Sequence, residues 1–179
     1  GKLPRFTLAY EMYGRMNASK SNVILLFHAM TGSQHAAGLN RNVPGLNRRW
    51  TEELHEGWWD AFIGPGKALD TRKFCVICAN YLGGCYGSTG PASINPKTGK
   101  PWGPEFPVLR IVDIVESQLK LLGSLGVKKL HAVIGASIGG YLSLVLAARY
   151  PDRVKIVIPI ASGVETTINQ RILNFEQIS

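Results

Sequence analysis

Four short apolar runs punctuate the chain: Val23-Ile24-Leu25-Leu26-Phe27, Phe74-Cys75-Val76-Ile77-Cys78-Ala79, Leu130-His131-Ala132-Val133-Ile134 and Lys155-Ile156-Val157-Ile158-Pro159-Ile160. Continuous runs of this kind, rich in β-branched residues, predict strands buried on both faces, as in a parallel sheet. Phe6 to Tyr13 alternates loosely and stops at Gly14, which predicts a half-exposed antiparallel strand. Two stretches change to a helical period. Pro107 opens one, with Val108, Ile111, Val112, Val115, Leu119 and Leu122 on one face and an end near Gly123 or Gly126. The second runs from Gly140 to Tyr150, with Tyr141, Leu144, Val145 and Ala148 on its apolar face and Pro151 as its stop. Thr166 onward reads as a third. Ser33 to Arg49, Asn80 to Pro91 and Asn95 to Pro104 lack a period and read as loops, and Gly57 to Gly66 reads as an aromatic turn. Strands alternating with helices predict a mostly parallel α/β sheet with right-handed crossovers, in one domain.

The chemistry concentrates where the third apolar run meets the second helix. Gly135-Ala136-Ser137-Ile138-Gly139 matches G-x-S-x-G, and strand, tight turn and helix together are the context of a nucleophile elbow. A serine at the tip of so sharp a turn needs neighbours without side chains, which Gly135 and Gly139 supply. The helix that follows aims its N–H groups and positive dipole end toward a developing oxyanion. One oxyanion donor is then the N–H of Ile138. The other is assigned to the N–H of Met30, in the loop that His28 begins after the Val23–Phe27 strand. The plainer alternatives are a glycine-rich turn without chemistry and a core methionine at a strand end.

A serine hydroxyl needs a base, ordinarily a histidine oriented by a carboxylate. After Ser137 come only Asp152, Glu165 and Glu176, and no histidine. Asp152, between helix and next strand, belongs at the wrong end of the sheet. His28 is expected to shape the oxyanion loop, His131 to pack within its strand, and His35 and His55 to be solvated. The residues present carry a nucleophile without its relay. Gly1 is not an initiator methionine and Ser179 falls within an element, so the expectation is a core that continues beyond residue 179. Residues 1–179 alone are expected to be inactive.

Composition narrows the class. Hydrophobic residues make up 45% and charged ones 18%, with no apolar run near membrane-span length. Cys75, Cys78 and Cys85 form no metal-ligand pattern; the first two read as buried strand thiols, and a reducing, cytoplasmic setting is expected. The net charge of +8 comes from scattered lysines and arginines without a nucleic-acid-binding stripe. A basic rim attracting an anionic cosubstrate is one account of it; a more acidic remainder of the chain is the other.

His28-Ala29-Met30-Thr31-Gly32, Trp58-Trp59 with Gly64-Pro65-Gly66, Leu82-Gly83-Gly84-Cys85-Tyr86-Gly87-Ser88-Thr89-Gly90-Pro91 and the elbow, in this order, resemble the homoserine O-acetyltransferase family. The resemblance implies an α/β-hydrolase fold over residues 1–179, truncated before its last strands and lid. It implies acetyl transfer from acetyl-CoA to Ser137 and then to the hydroxyl of homoserine, in methionine biosynthesis. Met30 and Ile138 match the family's oxyanion positions. The cosubstrate would be acetyl-CoA, with no tightly bound cofactor and no metal. Partners would be small molecules, neither nucleic acid nor membrane, with a homodimer left open. The family's lid, its homoserine-binding arginine and tyrosine, and its aspartate and histidine would lie beyond Ser179. The family's elbow usually reads Gly-Gly-Ser-Met-Gly-Gly-Met, and Ala136, Ile138 and Tyr141 depart from it. Succinyl transfer to homoserine, acetyl transfer to serine, hydrolysis by an esterase or thioesterase, and a catalytically silent binding domain are the competing readings.

Overall fold

The computed structural model describes residues 3–43, 51–165 and 167–168. Its main sheet contains β1 (Tyr10–Tyr13), β2 (Val23–Phe27), β5 (Cys75–Ala79), β6 (Leu130–Ala136) and β7 (Val154–Ile160), in the order β1-β5-β2-β6-β7. A two-stranded patch of β3 (Ile63–Gly64) and β4 (Leu69–Asp70) stands apart from it. β1 runs antiparallel to β5, and the pairs β2–β5, β2–β6 and β6–β7 are parallel. Every residue of β2 and β5 is buried, as their unbroken apolar runs predict.

Side chains alternate between two cores because successive strand residues face opposite ways. Val23, Leu25, Phe27, Ile77 and Val133 pack under the two helices, α1 (Ile111–Ser124) and α2 (Ile138–Arg149), against Val115, Leu119, Leu122, Leu142 and Leu146. Ile24, Leu26, Val76, Cys78, Ala132 and Ile134 face the other side, covered by Ala36, Ala37, Ile63, Trp58 and Trp59. Cys75 and Cys78 are buried free thiols on opposite faces, and Cys85 is exposed. Burial raises the pKa of both strand thiols, so they pack as small apolar groups. No helix among the described residues is long and apolar enough to cross a membrane.

Four expectations need correction. The first helix begins at Ile111 rather than Pro107, and Val108 is 93% exposed. The Arg110 N–H donates to the Asp113 carboxylate at 2.8 Å, a capping bond that fixes the helix start there. The second helix begins at Ile138 and buries Gly139, Gly140, Leu142, Ser143 and Leu146, while Tyr141 is exposed. That segment is apolar on nearly every side, so its period cannot choose a face; the close approach of the two glycines chooses it. The apolar run from Lys155 to Ile160 predicts a buried β7, but Ile156, Ile158 and Ile160 are 40–45% exposed. Among the described residues β6 alone pairs with it, and nothing covers its outer side.

The fourth correction concerns His35, which is 2% exposed rather than solvated. Its Nδ1 lies 2.9 Å from the Glu11 carboxylate and its Nε2 lies 2.7 Å from the His55 carbonyl oxygen. The Tyr13 hydroxyl and the Asn40 amide donate to the same carboxylate at 2.7 and 3.0 Å. This polar clasp holds the loop after β2 onto the edge strand. Its key partner stands 24 residues upstream of His35. His55 is half-buried. Residues 44–49 of the loop expected from Ser33 to Arg49 lie outside the described residues, as does the helix expected from Thr166 onward apart from Thr167 and Ile168.

Candidate active site

Ser137 sits between the last residue of β6 and the first of α2, with φ 55° and ψ −122°. Such a positive-φ conformation costs a non-glycine residue on the order of 1–3 kcal/mol and persists only where its surroundings enforce it. They do so here through backbone contacts. The Ser137 N–H donates to the Ile160 carbonyl at 3.0 Å, and its own carbonyl accepts the N–H groups of Gly140 and Tyr141 at 3.0 and 3.2 Å. A Cβ on Gly135 would land on the Gly139 backbone. One on Gly139 would land on the Phe27 and His28 carbonyls, and one on Gly140 would meet Ser162 Cβ at 2.6 Å. The motif's glycines are therefore space requirements of the turn. The Ser143 hydroxyl donates to the Gly139 carbonyl at 2.8 Å and secures the first helical turn. The Ser137 side chain is exposed at the carboxyl end of the sheet. Ile138 and Gly139 open the helix, so their N–H groups have no intrahelical acceptor and face the serine's side.

The loop after β2 lies beside this elbow because Phe27 is in register with Gly135. His28 is 2% exposed, its Nδ1 donates to the Ala29 carbonyl at 2.7 Å, and its ring stacks on Tyr81 at 3.7 Å. The Tyr81 hydroxyl donates to the His28 carbonyl. The Gly32 N–H closes the turn on the Ala29 carbonyl at 2.9 Å. Met30 at the crest is 77% exposed, so it is not a core methionine. Tyr81, which grips the base of this turn, had no signal in the sequence beyond its place just after a buried strand.

The Leu82–Pro91 stretch is a packed loop tied to the N-terminal segment. The Ser88 hydroxyl donates to the Asn80 carbonyl at 2.8 Å, and the Thr89 hydroxyl accepts the Thr7 N–H at 2.8 Å. Gly83 sits at φ 90°, a left-handed conformation that side chains rarely adopt. Ser88 and Thr89 thus tie this loop to Asn80 and to the N-terminal segment. A recess of about 510 Å³ lies between Phe6, Leu82 and the start of α1, and Ser137 does not line it.

No described residue hydrogen-bonds the Ser137 hydroxyl. His28 directs its Nδ1 at Ala29 and buries its Nε2 without a partner; His35 belongs to the Glu11 clasp; His131, in β6, packs on Phe74 at 4.9 Å. Asp152 occupies the turn Pro151–Arg153 at the amino end of β7, away from Ser137. Among the described residues no three ligand-type side chains gather as a metal site.

Burial lowers the His28 pKa from 6.5 to about 4, against a smaller opposing effect of the Ala29 carbonyl. Between those values the unfolded chain binds a proton that the fold refuses. Stability from this residue is therefore complete above pH 6.5 and is lost as pH falls toward 4, by up to about 3 kcal/mol. Urea unfolding of His28→Gln should show a correspondingly shallower loss between pH 7 and pH 4.5 than the unsubstituted chain. Equal losses would mean that His28 is not held neutral.

Comparison with known proteins adds the lineage. The alpha/beta hydrolase fold profile matches residues 22–176. A homoserine O-acetyltransferase of Methanohalobium evestigatum is 52% identical over 97% of this chain and 33% of its own length. A homoserine O-succinyltransferase of Alkalilimnicola ehrlichii is 48% identical over 89% of this chain and 39% of its own. The crystal structure of esterase E22 superposes with a TM-score of 0.69 at 43% identity, over 82% of this chain and 39% of that one. The chain thus spans between 33% and 39% of the length of these three proteins.

Proposed function

The chain belongs to the α/β-hydrolase fold family, within its homoserine O-acetyltransferase group, and on that premise we propose that it forms the nucleophile-bearing part of an enzyme transferring an acetyl group from acetyl-CoA to the hydroxyl of L-homoserine. The observation that carries this is Ser137, exposed and held at φ 55° between a buried strand and the N-terminus of α2. Its Oγ attacks the thioester carbonyl while its proton passes to a base outside the described residues. The N–H groups of Ile138 and Met30 take the developing oxyanion, and the C–S bond breaks to release the coenzyme A thiol. Homoserine's hydroxyl then attacks the acyl-serine and yields its proton to the same base, which passes it to Ser137 Oγ as O-acetylhomoserine departs. Acetyl is preferred to succinyl because the Methanohalobium evestigatum acetyltransferase is 52% identical and the Alkalilimnicola ehrlichii succinyltransferase 48%. The setting this chemistry suits is cytoplasmic, with small-molecule substrates.

The likeness to esterase E22 favours a second reading, in which the same acyl-serine passes to water. One assay separates the two. The complete gene product carrying these residues is incubated with acetyl-CoA or succinyl-CoA, with and without homoserine, while thiol and O-acylhomoserine are followed. Thiol release that depends on homoserine and prefers acetyl-CoA is expected; equal release without homoserine would establish the hydrolase. Residues 1–179 alone should give no sustained turnover, because no described histidine relieves the Ser137 proton.

A further inference from the structure

Lysines that look scattered in sequence converge at the other end of the sheet. Lys20 lies in the turn before β2, Lys128 and Lys129 in the loop before β6, and Lys155 near the start of β7. β2, β6 and β7 are parallel, so their amino ends share one edge of the molecule, and there the four side chains line a recess of about 470 Å³. Ser137 stands at the opposite end of β6, seven residues or about 20 Å away. The wall contains no carboxylate. Asp152, the acidic residue nearest in sequence, precedes β7 and is not part of it. Lys128, Lys129 and Lys155 make no ion pair among the described residues.

Two features show that the recess is shaped. Lys20 is held in the left-handed region, at φ 55°, with its ammonium donating to the Leu125 carbonyl at 2.6 Å across Gly126. The Arg153 guanidinium donates to the Lys128 carbonyl at 2.6 Å, fixing the loop that carries two of the lysines and adding a fifth positive charge beside it. Like charges gathered in one concavity repel each other and raise the local potential, and an anion carrying several charges relieves both. A compact anion of several charges can be met by more than one of these ammoniums at once, which an anion of single charge cannot exploit.

We propose that this lysine-lined recess is a binding site for a small anion of the polyphosphate type, separate from the Ser137 site. The test is calorimetric titration of tripolyphosphate and of orthophosphate into the full chain, at about 50 and about 300 mM sodium chloride, against a short RNA duplex as a third titrant. One saturable site is expected, with tripolyphosphate binding at least about tenfold more tightly than orthophosphate and weakening as salt rises. The double variant Lys129→Glu/Lys155→Glu should weaken binding by about tenfold or more, while Lys97→Glu/Lys100→Glu, the same charge change on a distant exposed loop, should change it by less than about twofold. Circular dichroism melts confirm that each variant is folded. Equal weakening by both pairs would reduce the result to an adventitious ion only and overturn the site. So would the absence of saturable binding, or a preference for the duplex.

Discussion

Ser137→Ala in the complete gene product should lower acyl transfer by roughly 10³-fold or more while leaving the protein folded. The Ser137 side chain is exposed and no described residue bonds to its hydroxyl, so its loss removes no packing. Its backbone bonds to Ile160, Gly140 and Tyr141 are main-chain bonds that alanine keeps. What disappears is the group proposed to carry the acyl chain between donor and acceptor. The residual rate would come from binding and from the oxyanion N–H groups acting on direct attack by the acceptor. The check is kcat/KM with acetyl-CoA and homoserine, together with mass spectrometry for an acetylated peptide spanning Gly135 to Gly139. A loss of only a few-fold, or acetylation persisting in the variant, would assign the nucleophile elsewhere.

Gly139→Ala should be among the most damaging single-methyl changes at the described glycines. The added Cβ would fall on the Phe27 and His28 carbonyls, which are backbone atoms at the end of a central strand and have nowhere to go. Overpacking of this kind typically costs 1–3 kcal/mol where side chains can shift, so about 3 kcal/mol or more is expected where only backbone can. Relief by separating the elbow from the β2 loop would pull the Ile138 and Met30 N–H groups apart, and activity should fall even in molecules that remain folded. Gly123→Ala is the control. That glycine lies in α1 with nothing within 4 Å of the added carbon, and the change should stabilise by about 0.5–1 kcal/mol through helix propensity. Urea unfolding of the two variants measures the contrast; similar midpoints would show that the elbow does not need its glycine for space.

Much of this architecture is legible along the chain. The unbroken apolar runs at Val23–Phe27 and Cys75–Ala79 give buried strands within a residue of their ends, because a strand shielded on both faces tolerates no polar position. The G-x-S-x-G spacing places Ser137 because it records a local steric requirement, met within five residues. The sequence likewise shows that no histidine follows Ser137 within residues 1–179. Helix edges were less legible. Arg110 and Asp113 move the start of α1 past Pro107 by a capping bond that periodicity does not register. α2 is too uniformly apolar to declare a face until Gly139 and Gly140 are set against β2 and the segment after β7.

Only the tertiary structure decided the rest, and the reason is the same each time: the deciding partner is distant in the chain. Tyr81 reaches the His28 carbonyl across 53 residues, Glu11 turns His35 from a solvated loop residue into a buried clasp, and three separate segments bring four lysines into one recess. Composition counts those charges and periodicity orders those strands. Register alone places them side by side, because parallel pairing of β2, β6 and β7 gathers their amino ends at one edge of the sheet and the β2 turn and Ser137 at the other.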